Sequence, residues 1–202
     1  MRRLPTILGV ALGLSAGLCS AQSQTSSCPG VSGIKNGLNT IVARSPDGHL
    51  TACLVDYKET DSHTYTGAYL VRNGTTRMLK TYLDTGPSGP VAWSPDSRKF
   101  AVTLASGGPG GIRSIDVFNV STGAWKVLGA DSGRSLLQLY ECNPQKEKDL
   151  ISMQWVKWTS VDEAEIEVSI DPIAALCRRE GIMDPVKFRV KVPAGLVVSR
   201  QP

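Results

Sequence analysis

Two stretches of this chain read as copies of one strand–turn–strand unit, and they constrain the fold more than any other feature. The first is Arg44-Ser45-Pro46-Asp47-Gly48-His49-Leu50-Thr51-Ala52. The second is Trp93-Ser94-Pro95-Asp96-Ser97-Arg98-Lys99-Phe100-Ala101, with Ser45 and Ser94 standing 49 residues apart. Proline presets φ for a turn, aspartate caps it through its side chain, and glycine accepts a positive φ. Each copy follows an apolar run (40–43 and 90–93) and leads into an alternating one (50–55 and 100–104). Asp47 and Asp96 are therefore turn caps before they are candidate catalytic carboxylates.

A second hairpin follows each copy. Residues 65–72 and 75–82 flank Asn73-Gly74, a strong two-residue turn signal. Residues 112–120 and 124–128 flank Ser121-Thr122-Gly123. Four short antiparallel strands at a period of about 40–50 residues is the pattern of a propeller blade. A third unit is expected from 150–158, 164–170, 186–192 and 196–199, although it carries no Ser-Pro-Asp-Gly sequence. Its acids and bases alternate with apolar residues, so two strands are expected as antiparallel neighbours, with Glu163 facing Lys191, Glu165 facing Arg189 and Glu167 facing Lys187. The alternative to that pairing is a basic stripe of Lys187, Arg189 and Lys191 for an acidic partner. An unrelated β-sandwich with two look-alike turns is the alternative.

The stretch Trp93-Ser94-Pro95-Asp96-Ser97-Arg98-Lys99-Phe100-Ala101-Val102, continued by Ile115-Asp116-Val117-Phe118-Asn119-Val120-Ser121-Thr122-Gly123, resembles the repeat of bacterial β-propellers. That repeat occurs in the periplasmic Tol-system propeller and in the propeller domains of prolyl oligopeptidases. The likeness covers roughly residues 40–128 and implies blade geometry; such repeats host unrelated functions. Closed propellers have about four to eight blades, and this chain has room for three or four. The expected fold is all-β: about three blade-like antiparallel sheets in an incomplete or small propeller-like array. One short helix is expected near the C-terminus, with Asp171 as cap, Pro172 at its first position and Gly181 at its end. Residues 106–111, 131–134 and 143–148 read as loops.

The N-terminus reads as an export signal. Arg2 and Arg3 precede an uncharged apolar stretch, Leu4 to Leu18, and Cys19-Ser20-Ala21 supplies small residues before an expected cut after Ala21. A short membrane anchor and a lipoprotein modified at Cys19 are the alternatives; Leu18 fills the place where lipidation needs a small residue. Cleavage leaves residues 22–202 as a single β-repeat domain. It removes two of 22 basic residues and none of 18 acidic ones, so the charge falls from +4 to about +2. That balance does not favour nucleic acid as a partner, and no later stretch is apolar for long enough to span a bilayer.

Four cysteines remain after cleavage: Cys28, Cys53, Cys142 and Cys177. An even number in an exported chain reads as two disulfides, and three pairings are possible. The local one, Cys28–Cys53 with Cys142–Cys177, is expected; free buried thiols are the alternative. Residues 22–202 carry no CxxC spacing, nucleophile-elbow pattern or phosphate-binding loop, and Gly107-Gly108-Pro109-Gly110-Gly111 reads as a hairpin loop; the one G-x-S-x-G match, Gly13 to Gly17, lies inside the apolar export stretch. The two histidines, His49 in the first turn and His63 in a polar loop beside Asp61, read as solvated. Trp155 and Trp158 should face opposite sides of a strand; core or inter-sheet packing is expected of each, and one of them exposed as a binding anchor is the alternative. No catalytic residue, metal or cofactor is expected. The chain reads as a non-catalytic binding module, periplasmic or secreted, that engages another protein or an envelope component. The alternatives are a periplasmic inhibitor or immunity protein, and a hydrolase or lyase with an unusual loop site.

Overall fold

The computed structural model describes residues 28–31, 37–60, 63–106, 111–129, 131–139, 142, 151–170 and 184–201. Three antiparallel sheets account for most of them. Sheet 1 has the order β1(Gly37–Arg44), β2(Leu50–Thr60), β3(His63–Arg72) and β4(Thr75–Leu83). Sheet 2 begins with an inner strand broken into β5(Thr85–Pro87) and β6(Ala92–Trp93), both pairing with β7(Lys99–Ser106); β8(Arg113–Asn119) and β9(Trp125–Val127) follow. Sheet 3 is β10(Ile151–Trp158), β11(Glu163–Ile170), β12(Val186–Lys191) and β13(Leu196–Arg200). The expected all-β, blade-like architecture of three units is therefore what the chain adopts.

The sheets stack through alternating faces. Leu50, Ala52, Leu54, Ala68 and Leu70 of sheet 1 pack on Phe100, Val102, Leu104 and Phe118 of sheet 2. Ala101, Ile115 and Val117, one step out of phase with that set, pack on Ala164, Ile166, Val168, Val186, Phe188 and Val190 of sheet 3. Period-two alternation thus gives sheet 2 two buried faces and makes it the middle layer.

The other face of sheet 3 is charged. Glu163, Glu165 and Glu167 on β11 stand opposite Lys191, Arg189 and Lys187 on β12, the register that the sequence pattern implies. The ion pairs themselves run diagonally as well as straight across. Arg189 Nε lies 3.7 Å from Glu163, and Lys187 Nζ lies 3.9 Å from Glu165 and 3.8 Å from Glu167. Opposite charges across a ladder contribute roughly 0.2–1 kcal/mol per pair. Arg189→Glu is therefore expected to lower stability by about 1 kcal/mol, and adding Glu163→Lys to recover part of it. Urea unfolding of both variants measures this, and no recovery in the double variant contradicts the diagonal pairing.

Three expectations need correction. Residues 131–134 are not a loop but the start of α1(Asp131–Leu139), the one helix among the described residues. Glycine disfavours helix by about 1 kcal/mol, which hides this one in the sequence. A β-carbon at Gly133 would sit 2.5 Å from Ile151 Cδ1, so the glycine lets the helix lie close on sheet 3 and bury Leu136 and Leu137. The helix expected at 171–180 falls outside the described residues. Trp155 and Trp158 do not face opposite ways. The pairing of β10 with β11 slips between Trp155 and Lys157, leaving Val156 as an extra residue. A bulge of this kind resets the alternation. Both rings then point to one face, 4.7 Å apart, with Trp155 buried and Trp158 packed against the same core. His63 opens β3 rather than lying in a loop, and its Nδ1 is 2.9 Å from Asp84.

Cys28 and Cys53 form a disulfide. It fastens residues 28–31 over the outward face of sheet 1, where Cys53, Val55 and Val71 are buried. Cys142 is also disulfide-bonded; Cys177, its expected partner, lies outside the described residues, as does the expected export signal, residues 1–21.

Candidate functional site

The two repeated turns have one geometry. Ser45 Oγ donates to Asp47 Oδ1 at 2.6 Å, and the His49 amide donates to the same oxygen at 3.1 Å. Ser94 Oγ donates to Asp96 Oδ1 at 2.7 Å, with the Arg98 amide at 3.1 Å. Each carboxylate is thus held as a cap by its own turn. The Ser45 hydroxyl, with the His49 amide, holds the Asp47 carboxyl below its ordinary range. Burial pushes Asp96 up, but the bonds from Ser94 and the Arg98 amide and the charges of Arg98 and Lys99 outweigh it, and its net shift is also downward. Both therefore stay ionised at neutral pH.

Ser97 stands where Gly48 stands in the first turn. Both take left-handed backbone, φ 59° at Ser97 and φ 75° at Gly48. A residue with a β-carbon pays about 1–2 kcal/mol for that conformation. The hydroxyl gives something in return: Ser97 Oγ accepts a hydrogen bond from the Asp47 amide at 3.1 Å, tying the turn of sheet 1 to that of sheet 2. Ser97→Ala loses the bond and keeps the strain, whereas Ser97→Gly loses both. The glycine variant is expected to be more stable than the alanine variant by about 1 kcal/mol in thermal unfolding. The reverse order contradicts this account.

A third turn lies in the same row, where the sequence carries no Ser-Pro-Asp pattern. Residues 159–162 connect β10 to β11, closed by a Thr159 N to Glu163 O bond of 2.9 Å. The corresponding bond spans one residue more in the second turn, from Ser94 N to Lys99 O at 2.9 Å. The shorter turn lacks proline, so its sequence no longer looks like the others. The tryptophan before it survives. Trp158 Nε1 donates to Ala92 O at 3.0 Å, just as Trp93 Nε1 donates to Ala43 O at 3.0 Å. An indole at the end of the inner strand, Trp93 in sheet 2 and Trp158 in sheet 3, each bonded to the preceding inner strand, was the available signal. Lys99 Nζ ties the second turn to the third, donating to Val161 O at 3.2 Å and pairing with Asp162.

These turns wall an open cleft of about 720 Å³. Asp47, Asp96, Arg98, Lys99, Val161 and Asp162 line it from the three turns, and Arg72, Asn119 and Ser121 line it from the neighbouring hairpins. Leu50 and Val120 lie at its apolar base, both buried. His49 and His63 do not join it, and among the described residues no three His, Cys, Asp or Glu side chains converge as a metal site. Nor is any described helix long and apolar enough to cross a membrane. Of the tryptophans, Trp125 on β9 is the exposed one, not Trp155 or Trp158.

Fold and cleft together define a stack of three blade-like β-sheets with a polar, turn-lined end. No protein-family model matches the chain, and no curated protein is similar to it at a significant level. Among solved structures, it is similar to the crystal structure of TolB from Acinetobacter baumannii, with 20% identity and a TM-score of 0.42. The superposition covers 77% of this chain and 30% of the TolB chain.

Proposed function

We propose that this chain is a non-catalytic, exported binding module of one β-repeat domain, residues 22–202, that engages another protein or an envelope component through its turn-lined end. The carrying observation is the cleft itself, which takes its walls from loops of all three sheets. Loops presented by a rigid scaffold are where binding surfaces are commonly built. The acids within it are committed to turn capping or to ion pairing, which favours recognition over acid–base chemistry. The Cys28–Cys53 disulfide supports a periplasmic or secreted location, since such bonds persist in oxidising compartments.

The test is obstruction. Ser121 is exposed on the rim of the cleft, so Ser121→Trp should block it without disturbing the core. Immobilised mature protein is mixed with cell-envelope extract, and the captured proteins are compared. The variant is expected to lose what the wild type retains. Identical capture by a folded Ser121→Trp protein sinks the reading.

A further inference from the structure

Resting on the reading of the turn-lined end as a binding face, we propose that the cleft takes an extended acidic peptide segment, whose carboxylates meet Arg72 and Arg98. The bases of the cleft keep hydrogen-bond donors unspent, whereas its acids are engaged. Every acid in the cleft already has a donor: Asp47 has Ser45 and the His49 amide, Asp96 has Ser94 and the Arg98 amide, and Asp162 has Lys99. The bases are not matched in the same way. The Arg72 guanidinium has no hydrogen bond or ion pair among the described residues. That of Arg98 comes only within 4.0 Å of Asp96, with its side chain 83% exposed. The hydrogen-bond donors that the cleft can still offer a ligand are its guanidinium groups.

Shape narrows the ligand further. Arg72, Val120 and Ser121 are shared with an adjoining hollow of about 330 Å³, which also contains Arg77. Among the described residues Arg77 makes one long bond, 3.4 Å from its Nη2 to Thr122 O. Arg98, Arg72 and Arg77 therefore border two connected hollows rather than one point. A small anion would fill neither, whereas an extended chain with acidic side chains would lie along both. Guanidinium groups suit that ligand, because their planar fork matches a carboxylate with two parallel hydrogen bonds and they are weakly hydrated. The apolar base of Leu50 and Val120 would receive the aliphatic stems of the same side chains.

The experiment is fluorescence anisotropy on the full mature chain. The probe is a fluorescein-labelled decapeptide of alternating glutamate and serine; its glutamine counterpart and inorganic phosphate are the controls. The glutamate peptide is expected to bind about tenfold more tightly than the glutamine peptide. Arg72→Gln and Arg98→Gln should each weaken it about tenfold and leave the glutamine peptide unaffected. Raising salt from about 0.05 to about 0.5 M should weaken it too. Both arginines are exposed, and circular dichroism checks that the variants fold. Equal binding of the two peptides, no binding of either, or indifference to both substitutions overturns the proposal. So does competition by phosphate at concentrations matching the peptide, which would make this a small-anion site. If Ser121→Trp abolishes capture from extract while the glutamate peptide fails, the acidic-segment proposal falls alone and the binding reading stands.

Discussion

Asp116→Ala is expected to destabilise the protein by about 3–5 kcal/mol. Asp116 lies on β8 with 2% of its surface exposed, facing two residues of β4. Lys80 Nζ donates to its Oδ2 at 2.8 Å, and the Tyr82 hydroxyl donates to the same oxygen at 2.6 Å. Burial, and then the Asp116 charge, push the Tyr82 phenol far upward, so it remains a donor throughout the accessible pH range. The Lys80 ammonium also lies over two rings, 4.4 Å from the centroid of Tyr82 and 3.0 Å from that of Trp125. Deleting the carboxylate leaves a mostly buried ammonium and a buried hydroxyl with no acceptor there. Such a truncation costs far more than the pair contributes, because the remaining charge has already been desolvated. The double variant Lys80→Met with Asp116→Leu removes both charges and should lie much closer to the wild type. Urea unfolding decides the matter. A loss below about 1 kcal/mol for Asp116→Ala would mean that water reaches the pair and that it is no more than a surface contact.

Phe100→Ala is expected to cost a similar amount, about 3–5 kcal/mol, for a different reason. Phe100 is 1% exposed at the contact between sheets 1 and 2. Its ring stacks on Phe118 at 4.8 Å and tilts against Trp93 at 5.1 Å. Truncation forfeits the transfer free energy of the ring and leaves a cavity that flanking strands, held in register, can only partly close. Trp93 would also lose the neighbour that steadies its indole bond to Ala43. Phe100→Leu, which keeps most of the volume, should cost less than half as much. Calorimetric or urea measurements of both variants test this, and equal losses would point to a backbone defect rather than a cavity.

What could be read from the sequence was what repeats or alternates locally. The Ser-Pro-Asp turns, the Asn73-Gly74 hairpin and the alternation on β11 and β12 each lie within a few residues, so pattern alone placed them. The cross-strand register of Glu163, Glu165 and Glu167 followed from the same alternation. Three things were out of reach. The bulge at Val156 breaks the period that the inference relied on. Helix α1 exists because Gly133 fits against Ile151, a packing fact with no local trace. Lys80 and Asp116 sit on different sheets, and only the stacking of those sheets brings them together. The cleft belongs to this last kind. Its arginines are ordinary exposed residues beside turns until the turns are set in a row.

Sheet 2 carries a consequence of its own. Because residues 100, 102 and 104 serve one core while 101 serves the other, a single strand, β7, is a party to both. A disturbance there cannot stay on one side: shifting Phe100 must drag Ala101. Among the described residues, damage confined to the charged face of sheet 3, or to residues 28–31, has one neighbouring layer to reach. The stack thus behaves like a beam with a single fulcrum, tolerant of change at its ends and intolerant at its centre. The second turn, held on one side through Ser97 and on the other through Lys99, sits at that fulcrum. A ligand gripping the middle turn would therefore brace the whole array at once.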